Sequence, residues 1–178
     1  MASARRHRLD PDEERTWTVL SYLLVQLPGA LDAAVQRTSG LNRFEYQVMA
    51  TLSIAPQRSA RLSKVAEFTG SSLSRLSYVV SSLECRGWLL RTPDPDDGRY
   101  TLGTLTEEGL KQVVAATPGY LAEVRRLIFD QLTKTQQQQL ERIALRILHA
   151  IEPDRAPITE RVPALPEHLR GPAARPPT

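Results

Sequence analysis

The chain holds a single cysteine, Cys85, among 178 residues. One thiol cannot build an intramolecular disulfide framework, and it suits a reducing compartment. Histidine is almost as scarce. His7, His149 and His168 lack the close spacing of a metal site or a catalytic triad. No Gly-rich phosphate loop is present either. These absences argue against an enzyme, a metal centre and an organic cofactor. Aromatic residues make up only 6%, so burial falls to Leu, Ala and Val, which favours helices packed on helices. No uninterrupted apolar run approaches the roughly 20 residues that span a bilayer. The N-terminal MASARRHRLDPDEER has basic residues with no apolar segment behind them, unlike a secretory signal. The expectation is a cytoplasmic protein with no membrane partner. Net charge is only +3, and between Gln57 and Leu102 seven basic residues face five acidic ones. Placement of charge, not its total, must therefore speak for or against nucleic acid.

What is present centres on Arg61 to Thr106, RLSKVAEFTGSSLSRLSYVVSSLECRGWLLRTPDPDDGRYTLGTLT. The pattern predicts a short helix over Leu62 to Phe68 and a turn at Thr69-Gly70-Ser71, with Ser71 as N-cap. A second helix follows over about Ser72 to Arg86. Gly87 ends it. Trp88 to Arg91 and Tyr100 to about Leu105 then form a hairpin around the turn-rich PDPDDG. A helix-turn-helix followed by a hairpin is a DNA-reading layout.

On a helical wheel Leu73, Leu76, Val79, Val80 and Leu83 share one side of the second helix, whereas Ser74, Arg75, Tyr78, Ser81, Ser82 and Cys85 share the other. Serine is a mediocre helix former, and a merely solvated face would carry Glu and Lys. Small hydroxyls beside one Arg and one Tyr suit close approach to a DNA groove. The candidate DNA-binding residues on this element are Ser72, Ser74, Arg75, Ser77, Tyr78 and Ser82. At the hairpin tip, Arg99 can enter a minor groove, with Asp97 holding its guanidinium. Asp94 and Asp96 are expected to face away or to cap the turn.

The flanks read as helices. Residues 1–9 form a flexible basic arm. Residues 10–40 form a dimerisation helix with Asp10 as N-cap and a stripe of Trp17, Leu20, Leu24, Leu27, Leu31 and Val35, kinked at Pro28-Gly29. Residues 41–106 form the DNA-binding domain, opened by a helix with Asn42 and Glu45 as a capping box. Residues 107–152 supply two more dimerisation helices, the first interrupted at Pro118-Gly119. The last, entered at Thr133, carries Leu140, Ile143, Ile147, Leu148 and Ile151. Residues 153–178 hold seven of the thirteen prolines and read as a disordered or surface-wrapping tail. The fold class is mainly α (α+β): a winged helix-turn-helix whose flanking helices form a dimer platform.

GSSLSRLSYVVSSLECRGWLLRTPDPDDGRYTLGTLTEEG resembles the recognition-helix and wing signature of the MarR family of winged-helix transcription regulators. Three elements carry the resemblance: the Ser-to-Leu-Glu-x-x-Gly ending of the helix, the Asp-Pro-x-Asp-x-Arg wing and the Leu-Thr-Glu-Glu-Gly exit. It extends across Trp17 to Ile151. The resemblance implies a homodimer on pseudo-palindromic double-stranded DNA, usually a repressor associated with the bacterial nucleoid when bound. It also implies release by a small aromatic or anionic effector. It gives the wing role to Arg99 with Asp97, and base reading to Ser74, Arg75, Ser77 and Tyr78. The sequence departs from the family at Ser81-Ser82, where an Asp-Arg pair is common. Trp17, Tyr22, Tyr46 and Tyr120 are the amphipathic side chains available to line an effector pocket. The competing reading is a winged helix that docks a protein and reads no DNA sequence.

Overall fold

The computed structural model describes residues 8–156 and residue 169. Helix α1 spans Pro11–Ser39, α2 Arg43–Ser53, strand β1 Ser59–Arg61, α3 Leu62–Thr69 and α4 Leu73–Cys85. Strands β2 (Leu89–Pro93) and β3 (Thr101–Leu105) follow, then α5 (Glu107–Leu127) and α6 (Lys134–Ile151). The architecture is a winged helix-turn-helix inside a mainly helical frame.

Local chemistry sets most helix boundaries. Asp10 accepts from the amides of Asp12 and Glu13 while Glu13 returns to the Asp10 amide. Asn42 with Glu45, and Thr133 with Gln136, close the same reciprocal box on α2 and α6. Gly40 and Gly70 stop α1 and α3 with φ of 69° and 63°, a left-handed conformation that side chains resist. Recognition helix α4 starts one residue later than the sequence pattern suggested. Its cap is Ser72, whose hydroxyl accepts from the Arg75 amide at 3.2 Å. Ser71 instead contacts the Thr69 hydroxyl. Both α1 and α5 continue as single helices through Pro28 and Pro118.

The sheet has the order β1-β3-β2, all antiparallel. Strand β1, which has no strand pattern in the sequence, pairs Arg61 with Leu102 and Ser59 with Thr104. It follows a 3₁₀ turn at Pro56–Arg58 in which Gln57 and Arg58 both take positive φ, 52° and 56°. An ion pair from Arg58 to Glu107 ties that turn to the start of α5. The wing hairpin pairs Leu89 with Leu105 at its root and Pro93 with Thr101 at its outer end.

One core runs through the DNA-binding lobe and into the frame. Val48, Met49 and Leu52 of α2, Val65 and Ala66 of α3, Leu76, Val80 and Leu83 of α4, Leu89, Leu105, and Val113 and Ala116 of α5 are all buried in it. Leu73, grouped with the apolar side on the wheel, is exposed because it stands at the first turn of α4, beyond its neighbours. Gly109 has no room for a side chain. A Cβ there would lie 2.1 Å from the Trp88 carbonyl oxygen, so the first turn of α5 packs directly on the backbone leaving α4. Most of the Pro-rich segment, like residues 1–7, lies outside the described residues. Within that segment Leu169 is 1% exposed in the core cluster.

The frame helices are only partly covered. In α1, Leu31, Ala34 and Val35 are buried, but Trp17, Leu23, Leu24 and Val25 are half or more exposed. No residue of α6 is buried, and Leu140, Ile143, Ile147 and Ile151 lie open. An 18-residue window within α1 has a mean hydropathy of 1.4, long and apolar enough by those two measures to cross a membrane, which the core helix of a soluble protein also satisfies.

Candidate nucleic-acid interface

The exposed face of α4 carries Ser74, Arg75, Ser77 and Tyr78, the last 80% exposed. They stand together because Leu76, Val79, Val80 and Leu83 anchor the opposite side in the core. Of the other two serines proposed for DNA contact, Ser72 is the helix cap. Half-buried Ser82 donates to Glu45 Oε1 at 3.4 Å. The Arg75 guanidinium lies 4.5 Å over the Phe44 ring, so α2 supports this exposed arginine from behind.

At the wing tip, Arg99 Nε and Nη2 donate to Asp97 Oδ1 and Oδ2 at 2.9 and 2.6 Å. The Arg99 side chain is still 84% exposed. This bidentate pair holds the Asp97 carboxyl below the usual carboxylate range and raises Arg99. Asp94 turns inward as expected. Its Oδ1 accepts from the Asp96 amide at 2.9 Å and its Oδ2 from Arg61 Nε at 2.5 Å. The Asp96 amide, and then Arg61, lower its pKa.

Two long-range groups were not visible in the sequence. Arg61 reaches Asp94 and also sits 4.3 Å over the Tyr100 ring. Glu45, 4% exposed, closes the α2 cap and pairs with Arg86 at 3.1 Å, while Arg86 stacks on Trp88. Glu45 thereby ties the start of α2 to the end of α4. Its partners lie 37 and 41 residues away, so no local spacing announced them.

The four aromatic residues considered for an effector pocket do not come together as one group. Tyr46 and Tyr120 pack on each other with centroids 4.8 Å apart, and Tyr46 contacts the Thr117 hydroxyl. Burial raises the pKa of both. Trp17 and Tyr22 are 56% and 68% exposed on α1. The separation arises because only the C-terminal third of α1 packs on the lobe. A different cleft, of about 410 Å³, opens between α1, α2 and α4, with Pro28, Asp32, Asn42, Phe44, Arg75 and Tyr78 among its walls. Among the described residues, no group of three His, Cys, Asp or Glu could hold a metal ion.

The MarR family model matches residues 41–101, the lobe from α2 to the wing. Sco3205 of Streptomyces coelicolor, a MarR family transcriptional regulator solved in complex with DNA, is 31% identical. It superposes with a TM-score of 0.79 over 84% of this chain and 94% of its own. This chain belongs to the MarR family. Another MarR relative is the transcriptional repressor MprA of Escherichia coli K12, 26% identical over 119 residues. That match spans 65% of this chain and 65% of MprA. The structure of CouR from Rhodococcus jostii RHA1, bound to p-coumaroyl-CoA, is 27% identical with a TM-score of 0.63, covering 78% of this chain and 92% of CouR. These similar proteins are transcription regulators.

Proposed function

We propose that the chain is a sequence-specific DNA-binding transcription regulator, a repressor that acts as a homodimer on a pseudo-palindromic operator. The observation that carries this is the pairing of two exposed elements: the Ser/Arg/Tyr face of α4 and a wing arginine held by Asp97. Arg75, Ser74, Ser77 and Tyr78 read base edges in the major groove, and Arg99 enters the adjoining minor groove. Ser72 and Ser82 serve the recognition helix from within, as cap and as tether. Solution of the 31% identical Sco3205 with DNA supports the assignment.

The open apolar seams of α1 and α6 fit each other's needs in a second copy. Trp17, Leu24, Ile143 and Ile147 expose far more apolar surface than a lone subunit leaves uncovered. A two-fold dimer sets two recognition helices about one DNA turn, roughly 34 Å, apart. Such a regulator works in the bacterial cytoplasm, on the nucleoid.

An aromatic or anionic effector fits the cleft between α1, α2 and α4, since Arg75 and Tyr78 form part of its wall. Occupation there competes directly for the side chains that read DNA and shifts the population away from the bound form. Selection of binding sites from random DNA tests the function. An inverted repeat with half-sites one turn apart is the expected product. Salt-dependent binding without sequence preference would instead favour a protein-docking winged helix.

A further inference from the structure

The wing loop carries three carboxylates, Asp94, Asp96 and Asp97, against one arginine of its own, Arg99. Phosphates repel such a loop unless its acids are engaged and its arginine is aimed. Arg61 contributes to both. It ends β1 and immediately precedes α3, so its backbone belongs to the helix-turn-helix. Its side chain crosses to the wing, where Nε donates to Asp94 and the guanidinium covers Tyr100. Those two residues close the tip loop, joined by the Asp94 amide donating to the Tyr100 carbonyl at 3.0 Å. The Tyr100 amide in turn donates to the Asp97 carbonyl at 2.9 Å, and Asp97 grips Arg99. A second strut lies nearer the wing root, where Arg91 of β2 donates to Glu84 of α4 at 2.8 Å. That strut fixes the strands. The Arg61 strut fixes the loop that carries Arg99.

We propose that Arg61 is a positioning residue: by gripping Asp94 and Tyr100 it sets the distance of Arg99 from the reading face of α4, without contacting DNA itself. The inference rests on the DNA-binding reading above. A clamped wing meets the minor groove without first losing conformational freedom, which raises affinity through preorganisation.

Asp94→Asn gives a test by sign. It keeps an oxygen for the Asp96 amide but breaks the Arg61 pair and removes a negative charge beside the phosphates. By charge alone this variant binds operator more tightly. The clamp predicts roughly tenfold weaker binding and loss of preference for A/T-rich flanks, with the half-site bases still selected. Arg61→Met, which keeps a stem against Tyr100, should behave alike. In the double variant Arg61→Met/Arg99→Ala the first change should add nothing to the second. A direct phosphate contact by Arg61 would add its own factor and lower the salt slope by about one further unit. Thermal melting shows whether each variant is folded, and Tyr100→Leu, which spares the ion pair, replaces any that is not. Tighter binding by Asp94→Asn, or additivity in the double variant, overturns the proposal. Wild-type protein without sequence selectivity overturns the DNA-binding reading itself, and does so before any variant is compared.

Discussion

Arg75 has two environments to satisfy, the Phe44 ring behind it and the base edges proposed in front of it. Its removal separates them. Arg75→Ala should reduce discrimination between cognate and random DNA by about 1–3 kcal/mol, while the melting temperature moves little, because an exposed cation–π contact is worth only about 0.5–1 kcal/mol. Competition binding with the two DNAs and a thermal melt measure the two quantities. Gly109→Ala should do the reverse. Its new methyl group meets backbone at Trp88 and not a flexible side chain, so overpacking costs about 1–3 kcal/mol or more in urea unfolding. The Gly in Leu-Thr-Glu-Glu-Gly is legible as a family mark, but its reason lies in contact with a strand entry 21 residues earlier. The same limit applies to Arg61–Asp94 and Glu45–Arg86, ion pairs assembled by topology.

Elements were legible where their ends are chemically local. Asp10, Asn42, Thr106 and Thr133 each cap a helix within three residues, so composition alone reveals them. Strand β1 was not legible, since three residues have no period and exist as a strand only through β3. Recognition helix α4 lies between the two cases, legible in extent but shifted at its start by the choice of Ser72 over Ser71. Ser72→Ala should lower stability by about 0.5–2 kcal/mol and fray the turn that presents Ser74 and Arg75. Amide exchange at Arg75 and Leu76, both of which donate to Ser72, reports the fraying. The wing should respond to acid. Asp94 and Asp97 have folded pKa values below their ordinary 3.8, so their ion pairs support the wing above that pH. The support disappears as pH falls through the folded values. Trp88 fluorescence followed from neutral pH downward should stay level to 3.8 and change only below it.

At the scale of the whole molecule, the apolar stripes of the flanking helices read as surfaces awaiting a second copy, and within one subunit they lie open. Among the described residues nothing covers Trp17, Leu24 or the seam of α6, although a hydropathy pattern shows only which faces are apolar and not how much of each is left exposed. Leu24→Glu combined with Ile147→Glu should convert a dimer into a monomer in sedimentation. It should also weaken operator binding far more than either α4 substitution, because each half-site alone is short. Leu169 was illegible for a different reason: a lone buried leucine among prolines has no periodic neighbours to announce it.

Thr106 joins three parts of the fold at one hydroxyl. It donates to the Gly87 carbonyl at the end of α4 and accepts from the Gly109 amide at the start of α5, while its backbone amide donates to Trp88. The recognition helix, the wing root and α5 therefore turn about a common rivet. Motion in the frame reaches the DNA as rotation of a stiff reading head, not as bending within it. Control of this regulator then has essentially one mechanical coordinate, the angle between two heads. A single distance measured between spin labels, one on each head, would follow the entire switch.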